Sequence, residues 1–345
     1  MNKSYLFFIV HPAKFHLFKE TINRLLKNGC KVDVLIISKD VLEDLIKNEG
    51  WDYKNLFLKG RKIKYLPSKL VAFFSAILTI IKLLSFIIHK KSYYKYITDD
   101  ILVVLGYIFN VKSYFFVDND YKTLSLAKLL LPFTNKIISP SSTDMGKFNY
   151  KKISFKGNKA IAHLVPKYFV PNKEKVNIKE DYFFLRLAKL DAVHDDFSNQ
   201  GINDEYLDKI MQLLLKKGKV VISAERNINK KYEKYKLKIN PQDIVHYINY
   251  AKIVITDSGT MATEAAVLGV PNILLNNLAK LCGVHVELKT KFALQHYFDN
   301  FNDLYLKLIE LLKDKDLKNK WNKRKIIFLE YIDDFPELLY KELIK

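Results

Sequence analysis

The sequence is poor in residues that would build a covalent or metal-based framework. Of 345 residues only two are cysteine, Cys30 and Cys282, and the eight histidines are scattered along the chain. Two thiols cannot form a disulfide framework or a four-cysteine zinc site, and neither an HExxH nor a CxxC motif occurs. The sequence therefore predicts a protein of a reducing cytoplasm that holds no metal.

Long apolar runs are also scarce near the start of the sequence. One run of six apolar residues, YLFFIV at 5–10, is followed at once by histidine. A secretory signal needs a longer apolar core and a small-residue cleavage site, so we expect the protein not to be exported. Internal repeats and low-complexity tracts are absent, and 49% hydrophobic with 27% charged residues excludes intrinsic disorder. The length predicts two domains.

Acidic residues are missing from one long segment. The stretch from Lys54 to Lys95 contains ten basic residues and no acidic one, and the net charge of the whole sequence is +20. Such a field attracts the phosphates of nucleic acid, lipid headgroups or a lipid-linked substrate. KKSYYKY at 90–96 interleaves aromatic and basic residues, but no recognised nucleic-acid motif accompanies it. An anionic membrane surface is therefore expected as a partner, and nucleic acid is not.

Strand and helix patterns alternate in both halves of the sequence. Alternation of this kind predicts parallel sheets covered on both faces, and hence an α/β fold with two Rossmann-like domains facing each other across a cleft. Pro166 and Pro171 mark the break between the halves. The predicted domains are 1–165 and 173–330, with a C-terminal helix at 331–345 that could return to the first domain. In the first half, helices are predicted near 15–26, 41–48, 70–89 and 121–133.

The segment LVAFFSAILTIIKLLSFIIH at 70–89 is long enough to suggest a membrane-spanning helix. A spanning helix would place strands of one sheet on opposite sides of a membrane. Its polar residues also recur at three- or four-residue steps as one narrow stripe: Ser75, Thr79, Lys82, Ser85 and His89. Two interpretations remain open, a buried helix of the first domain or a helix lying in the membrane interface. The second would use flanking basic residues: Lys54, Lys59, Arg61, Lys62, Lys64, Lys69, Lys90, Lys91 and Lys95.

The most informative motif is KIVITDSGTMATEAAVLGVPNILL at 252–275. A β-branched strand runs into a polar turn where a helix opens: Asp257, Ser258, Gly259 and Thr260. The helix N-terminus presents unpaired N–H groups and the positive end of the dipole, which suits a diphosphate. Glu264 lies one turn further on the same face, where a carboxylate suits a ribose diol. The alternative is a structural helix capped by Asp257 or Ser258, with a solvated Glu264.

DSGTMATEAAVLGVP resembles the nucleotide-sugar signature of the GT-B superfamily, close to the DSGG…EE…LG.P element of bacterial UDP-N-acetylglucosamine 2-epimerases. More specifically, the chain is similar to the prokaryotic domain-of-unknown-function family 354, which belongs to that superfamily. The resemblance implies a GT-B fold and a nucleotide-activated sugar as substrate, UDP-linked in the epimerases. Further segments carry it: HPAKFHLFK (11–19), FVDND (116–120), FKGNKAIAHLVPKYFVPN (155–172), RLAKLDAVHDDFSNQG (186–201) and ISAE (222–225).

The resemblance also implies roles for single residues. In the epimerases the serine and glycine of the signature hold the diphosphate and the later glutamate holds the ribose, which carries over to Ser258, Gly259 and Glu264. Thr260 replaces the second glycine of the signature. His194 is the match to a histidine that contacts phosphate in the epimerases. Their acidic catalytic cluster in the N-terminal domain is not matched, so glycosyl transfer is favoured over 2-epimerisation.

Five further polar residues lie near predicted strand ends, where ligands bind in open α/β sheets. Arg186 could neutralise phosphate or pair with a surface acid. Asp118 and Glu225 could act as catalytic carboxylates, or Asp118 could cap the element that follows it. His11 and His16 lie in the first strand-to-helix turn, where an imidazole could deprotonate an acceptor hydroxyl or simply be a surface group.

Together these patterns predict a GT-B glycosyltransferase that uses a nucleotide-activated sugar and requires no cofactor or metal. Its acceptor would be a saccharide or a lipid-linked molecule of surface polysaccharide or glycolipid synthesis. The alternatives are a nucleotide-sugar 2-epimerase and a non-catalytic basic module that binds membranes or nucleic acid. We expect a cytoplasmic protein, with peripheral association at the inner face of the membrane under the interfacial-helix interpretation.

Overall fold

The computed structural model describes residues 3–37, 41–58, 68–90, 92–189 and 201–345. They divide into two compact units, one formed by Met1–Phe155 with Asp333–Lys345 and the other by Lys156–Ile332. The division falls before the predicted proline-containing linker, because residues 161–164 pack with the second unit.

Strands and helices follow one another along the described chain as the alternation indicated. The strands are β1 (Ser4–Ile9), β2 (Lys31–Ile36), β3 (Tyr53–Asn55), β4 (Lys95–Thr98), β5 (Lys112–Phe116), β6 (Lys136–Pro140), β7 (Lys152–Phe155), β8 (Tyr182–Leu187), β9 (Lys219–Ala224), β10 (Val254–Thr256), β11 (Asn272–Leu275) and β12 (His296–Phe298). The helices are α1 (Pro12–Lys27), α2 (Leu42–Asn48), α3 (Ser68–Ile88), α4 (Leu102–Ile108), α5 (Ile161–Leu164), α6 (Asp204–Leu214), α7 (Ile244–Tyr250), α8 (Gly259–Leu268), α9 (Gly283–Thr290), α10 (Phe301–Lys313), α11 (Leu317–Tyr331) and α12 (Phe335–Ile344).

The first unit is built on a parallel sheet whose described strands run in the order β3-β2-β1-β4-β5-β6-β7. Strand order reverses beside β1, since β2 and β4 pair with its two edges. In open α/β sheets the carboxyl ends of the strands at such a switch point form the usual ligand-binding edge. The apolar run Tyr5–Ile9 is completely buried, as expected of a central strand covered on both faces.

The C-terminal helix α12 packs against the first unit. The hydroxyl of Tyr5 donates a hydrogen bond to the carbonyl of Leu343 at 3.1 Å, and the Lys95 ammonium donates to the carbonyl of Glu342 at 3.0 Å. Phe335 packs edge-on against Phe155, with ring centroids 4.7 Å apart. Burial lowers the pKa of Lys95 to about 8. Lys95 is therefore part of the core and not of an exposed basic field.

Two of the predicted helices differ from the sequence-based expectation. The helix near 121–133 is wrong, since two short 3₁₀ segments, Tyr121–Thr123 and Leu126–Phe133, occupy this stretch. Non-helical backbone at Ser125 (φ −95°, ψ −113°) separates them, and Pro132 cannot donate an α-helical hydrogen bond. The helix at 70–89 is present as α3, but part of its polar stripe faces the protein, with Ser75 and Thr79 buried. Among the described residues, no helix is long and apolar enough to cross a membrane.

The second unit is a parallel sheet with the described strand order β12-β11-β10-β8-β9. Its switch point lies between β8 and β10, which pair in parallel with Arg186 opposite Thr256. Helix α8 follows β10 and is buried from Ala262 to Leu268. It ends at Gly269, whose left-handed backbone (φ +75°) suits glycine.

Candidate functional site

The first turn of α8 lies at the carboxyl edge of the second sheet. Ser258 is the N-cap, with extended backbone and a hydroxyl that accepts a hydrogen bond from the Met261 N–H at 3.4 Å. Ser258, Gly259 and Thr260 are half-buried, whereas the residues after Met261 are buried. By helix geometry the first N–H groups have no carbonyl partner in the preceding turn. The turn therefore offers backbone donors and the positive dipole end at a partly open position, which is suitable for an anion.

His285, on α9, packs against this turn and was missed by the sequence analysis. A Cβ atom on residue 259 would lie 2.9 Å from the His285 Nε2, so only glycine allows the ring so close. The Nδ1 of His285 lies 2.8 Å from the side-chain oxygen of Gln295, which can only accept a hydrogen bond. Nδ1 therefore carries a proton, and Nε2 faces the first turn of α8. If residues 272–290 had been interpreted as a strand followed by a helix, His285 would have been predicted at the carboxyl edge of the sheet, beside Gly259.

The Asp257 carboxylate is held by protein groups inside the second unit. Its side chain is 0% exposed. Oδ1 accepts from the N–H of Ala188 at 2.7 Å, and Oδ2 accepts from the N–H of Ile202 at 3.1 Å. Arg226 lies 2.9 Å from Oδ2 and also donates to the carbonyls of Ala188 and Ile202. These contacts assign Asp257 a positioning role, because it fixes the backbone after β8 against the start of α8.

Arg186 and Glu225 form an ion pair at the carboxyl ends of β8 and β9. Arg186 also donates to the Ser223 hydroxyl at 2.6 Å, and Glu225 accepts from the Lys189 N–H at 3.2 Å. The Nε of Arg186 is buried and has no hydrogen-bond partner among the described residues. The pairing partly neutralises the arginine and occupies both oxygens of the glutamate. Glu225 is thus better placed to orient Arg186 than to act as a catalytic carboxylate.

Glu264 is a buried carboxyl one turn into α8. Burial raises its pKa to about 7, although Lys159 and Arg186 favour the charged form. One oxygen, Oε1, lies 4.0 Å from the Nε2 of His163 on α5. The other, Oε2, is buried and accepts no hydrogen bond from any described residue. An acceptor held in this way is suited to a ligand hydroxyl, and the solvated glutamate of the capping alternative is not observed.

His194, the predicted phosphate-contacting histidine, lies outside the described residues. The structure brings together the remaining predicted groups of the signature, Ser258 to Thr260, at one turn, with Glu264 on the same helix.

A second polar cluster occupies the carboxyl edge of the sheet in the first unit. The Lys14 ammonium lies 4.0 Å from Asp99 Oδ2, after β4, and 3.8 Å from Asp118 Oδ1, after β5. It also lies 4.2 Å from the centroid of the Phe116 ring. Burial raises the pKa of Asp99 to about 6, despite the opposing effect of Lys14. The Oδ1 of Asp99 is buried and accepts no hydrogen bond from the described part of the chain. Asp99, which the sequence analysis did not select, is the carboxyl of this cluster with a pKa raised toward neutral pH, which suits a group that takes up a proton.

The two histidines near this cluster have different surroundings. His11 caps α1, and its Nδ1 accepts from the Ala13 N–H at 3.1 Å. In that neutral tautomer the hydrogen is on Nε2, which makes His11 a donor and not a base. His16 lies on another side of α1, and burial together with Lys19 lowers its pKa to about 4, with Glu49 opposing.

Metal-ligating groups do not converge in the described part of the structure. No set of three or more histidine, cysteine, aspartate or glutamate side chains there could hold a metal ion.

The sheet topology of both units and the turn at α8 define a protein with the GT-B fold, made of two Rossmann-like parallel-sheet units. The family described as "Protein of unknown function (DUF354)" matches residues 7–328, and the chain belongs to this family. No curated protein sequence matches the chain.

Solved structures of similar fold include both glycosyltransferases and epimerases. The S. aureus MnaA–UDP co-structure has a TM-score of 0.67 at 12% identity, covering 99% of this chain and 95% of that chain. The glycotransferase of kitacinnamycin has a TM-score of 0.65 at 10% identity, covering 99% and 100%. The Methanocaldococcus jannaschii UDP-GlcNAc 2-epimerase in complex with UDP-GlcNAc and UDP has a TM-score of 0.62 at 13% identity, covering 95% and 99%. At these identities the likeness shows the fold alone.

Proposed function

We propose that the protein is a nucleotide-sugar-dependent enzyme and that the second unit holds the nucleotide diphosphate at the first turn of α8. The observation that carries this proposal is the pairing of a half-open helix N-terminus with a buried carboxyl one turn later. The helix end suits the phosphates, and Glu264 Oε2 suits a ribose hydroxyl. Two of the structures of similar fold contain UDP, which supports a uridine nucleotide as the first ligand to test.

The reaction we favour is glycosyl transfer to a saccharide or lipid-linked acceptor. Negative charge develops on the leaving diphosphate during transfer, and the N–H donors of the first turn of α8 stabilise it, with the Ser258 and Thr260 hydroxyls as further donors. Arg186 adds guanidinium donors at the same sheet edge. In the first unit, Asp99 accepts the proton of the acceptor hydroxyl, and Lys14 keeps a share of the carboxyl ionised. No metal is required in this scheme, because every diphosphate contact is a protein donor.

One observation favours 2-epimerisation as the second candidate. That reaction needs paired carboxylates to handle the proton at C2 of the sugar. Asp99 and Asp118, which both approach Lys14, form such a pair in the first unit. The sequence analysis found no matching acidic cluster, so this pair strengthens the alternative.

A single experiment separates the two reactions. The protein is incubated with UDP-N-acetylglucosamine in deuterated water and followed by proton NMR. A transferase releases UDP slowly without acceptor and leaves the C2 proton in place, as we expect. Wash-in of deuterium at C2 would establish the epimerase instead. If neither UDP release nor exchange occurs with any nucleotide sugar, and no nucleotide binds, the proposed function is wrong.

A further inference from the structure

Helix α3 of the first unit exposes an apolar face to its surroundings. The large side chains on this face are exposed and recur at three- and four-residue steps from Phe74 to Ile81, with Ile88 two turns further on beyond the exposed Ser85. Ile81 at its centre is 54% exposed. The stripe consists of Phe74, Ile77, Leu78, Ile81 and Ile88.

Two hydroxyl side chains of the same helix, Ser75 and Thr79, are buried, whereas Lys82 and Ser85 are exposed. Thr79 is 0% exposed, and its hydroxyl donates to the Ser75 carbonyl at 2.6 Å. Leu83 is also buried, and the ammonium of the exposed Lys82 reaches back to the carbonyl of Leu56. A surface helix normally turns its apolar face inward and its polar face outward. Helix α3 packs Ile80, Leu83 and Leu84 on the core and also leaves a second set of large apolar side chains outside.

Neighbouring elements also expose apolar side chains. Helix α4 contacts both α3 and the 3₁₀ segment Leu126–Phe133. Helix α3 lies between β3 and β4 in the chain, α4 between β4 and β5, and the 3₁₀ segment between β5 and β6. Each of these crossovers runs in the same direction across the sheet, so right-handed connections place all three elements on the same sheet face. Exposed apolar side chains occur on both added elements: Tyr107, Ile108, Leu126 and Leu129. Surfaces of this kind mark interaction sites.

The charge around the stripe identifies the kind of partner. The ammonium groups of Lys54 and Lys90 each lie 5.3 Å from the centroid of the Phe86 ring, on the flank of α3 that packs against the core. Lys90 also pairs with Asp33 at 3.2 Å, whereas Lys54 and Lys82 are exposed cations beside the helix face. The sequence from Lys54 to Lys95 contains no acidic residue. An apolar face with a cationic border complements the acyl chains and acidic headgroups of an anionic bilayer. Nucleic acid would gain nothing from aliphatic side chains, and a second copy would bring the same cations together.

We propose that the α3 face docks on an anionic phospholipid surface, with the helix axis in the membrane plane and the stripe inserted among the acyl chains. This inference does not depend on the proposed catalytic function. In this proposal α3 packs on the first unit with one face and lies in the membrane interface with the other. Both interpretations of the 70–89 segment then hold for the same helix.

The test compares two glutamate variants matched in residue type, exposure and charge change. Ile81→Glu alters the stripe, whereas Ile326→Glu alters α11 of the second unit at a side chain that is 57% exposed. Binding is measured by co-sedimentation with vesicles of phosphatidylcholine alone and mixed with phosphatidylglycerol. We expect wild type and Ile326→Glu to bind the anionic vesicles, and Ile81→Glu to bind roughly tenfold more weakly. Salt of about 1 M, where the Debye length is about 3 Å, should release the wild type.

Several results would overturn the proposal. One is equal, weak binding of wild type to neutral and anionic vesicles. Another is an equal loss of binding in the two variants, which would reflect charge and not the stripe. The third result would come from sedimentation velocity without vesicles. If the wild type is a dimer and Ile81→Glu is a monomer, a second copy of the protein covers the face. Circular dichroism of both variants excludes unfolding as the cause of any loss.

Discussion

Replacing Glu264 by glutamine should affect stability and binding in opposite directions. The pKa of this buried carboxyl is about 7 in the folded protein, above its ordinary value of 4.5. Because the folded state binds the proton more tightly than the unfolded state, the contribution of Glu264 to stability is greatest below pH 4.5 and falls as pH rises through 7. A shift of this size corresponds to a loss of ~3 kcal/mol, fully present above pH 7. Glutamine cannot ionise, so the Glu264→Gln variant does not lose this stability as the pH rises.

We therefore expect Glu264→Gln to be more stable than wild type at pH 8, by up to ~3 kcal/mol, and little different near pH 4.5. The sequence contains two tryptophans, and Trp321 is buried in the second unit. Urea denaturation followed by fluorescence in a Trp51→Phe background reports the unfolding of that unit. Glu310→Gln, on the exposed side of α10, is the matched control and should change nothing at either pH.

The same variant should bind a nucleotide sugar less well. A carboxylate accepts from ribose hydroxyls, and loss of the charged acceptor in Glu264→Ala should weaken binding by roughly tenfold to a hundredfold at pH 8. Glu264→Gln should lose less, because its amide oxygen still accepts. At pH 6 only about one in eleven Glu264 side chains is ionised in the free protein, so wild-type affinity should rise roughly tenfold between pH 6 and pH 8. Calorimetry with a UDP-sugar measures this, because a diphosphate diester does not titrate in that range. Flat wild-type affinity, or unchanged binding by Glu264→Gln, would refute the assignment of this residue to the ribose.

Three further predictions follow from the two sites. Asp99→Asn should lower turnover by at least ~100-fold and abolish the rise in rate through pH 6, measured as a pH–rate profile, without changing nucleotide affinity. Gly259→Ala should cost roughly 1–3 kcal/mol through its clash with His285, and His285→Ala should reverse that cost in a double-mutant cycle of thermal unfolding. Asp257→Asn should cost roughly 3–5 kcal/mol in urea denaturation, since it leaves Arg226 with an uncompensated charge; a loss below ~1 kcal/mol would contradict the positioning role.

The α8 turn was accessible from the sequence because all of its parts are contiguous. A β-branched strand, a polar turn and an alanine-rich helix ending at Gly269 leave few alternatives for the local backbone. Glu264 was placed on the correct helix, but its burial was not predictable, since it depends on the packing of α5 and α8.

Residues brought together by distant strands could not be assigned in this way. Asp99 follows the short run Lys95–Thr98, and only the pairing of β4 between β1 and β5 brings it to Lys14. His285 reaches Gly259 through the packing of α9 on α8. The exposure of the α3 stripe could not be predicted either. Helical spacing in the sequence defines two faces of the helix but does not determine which of them packs on the sheet.

The most direct test of the nucleotide-sugar site is a thermal-shift panel of UDP-, GDP-, CMP- and TDP-sugars with wild-type protein and Glu264→Ala. A site at α8 should bind one nucleotide class selectively and stabilise the wild type by about 2.7 kcal/mol at a concentration 100 times the Kd, with a clearly smaller effect in the variant. No shift with any nucleotide sugar, or equal shifts in wild type and Glu264→Ala, would contradict the assignment of this site.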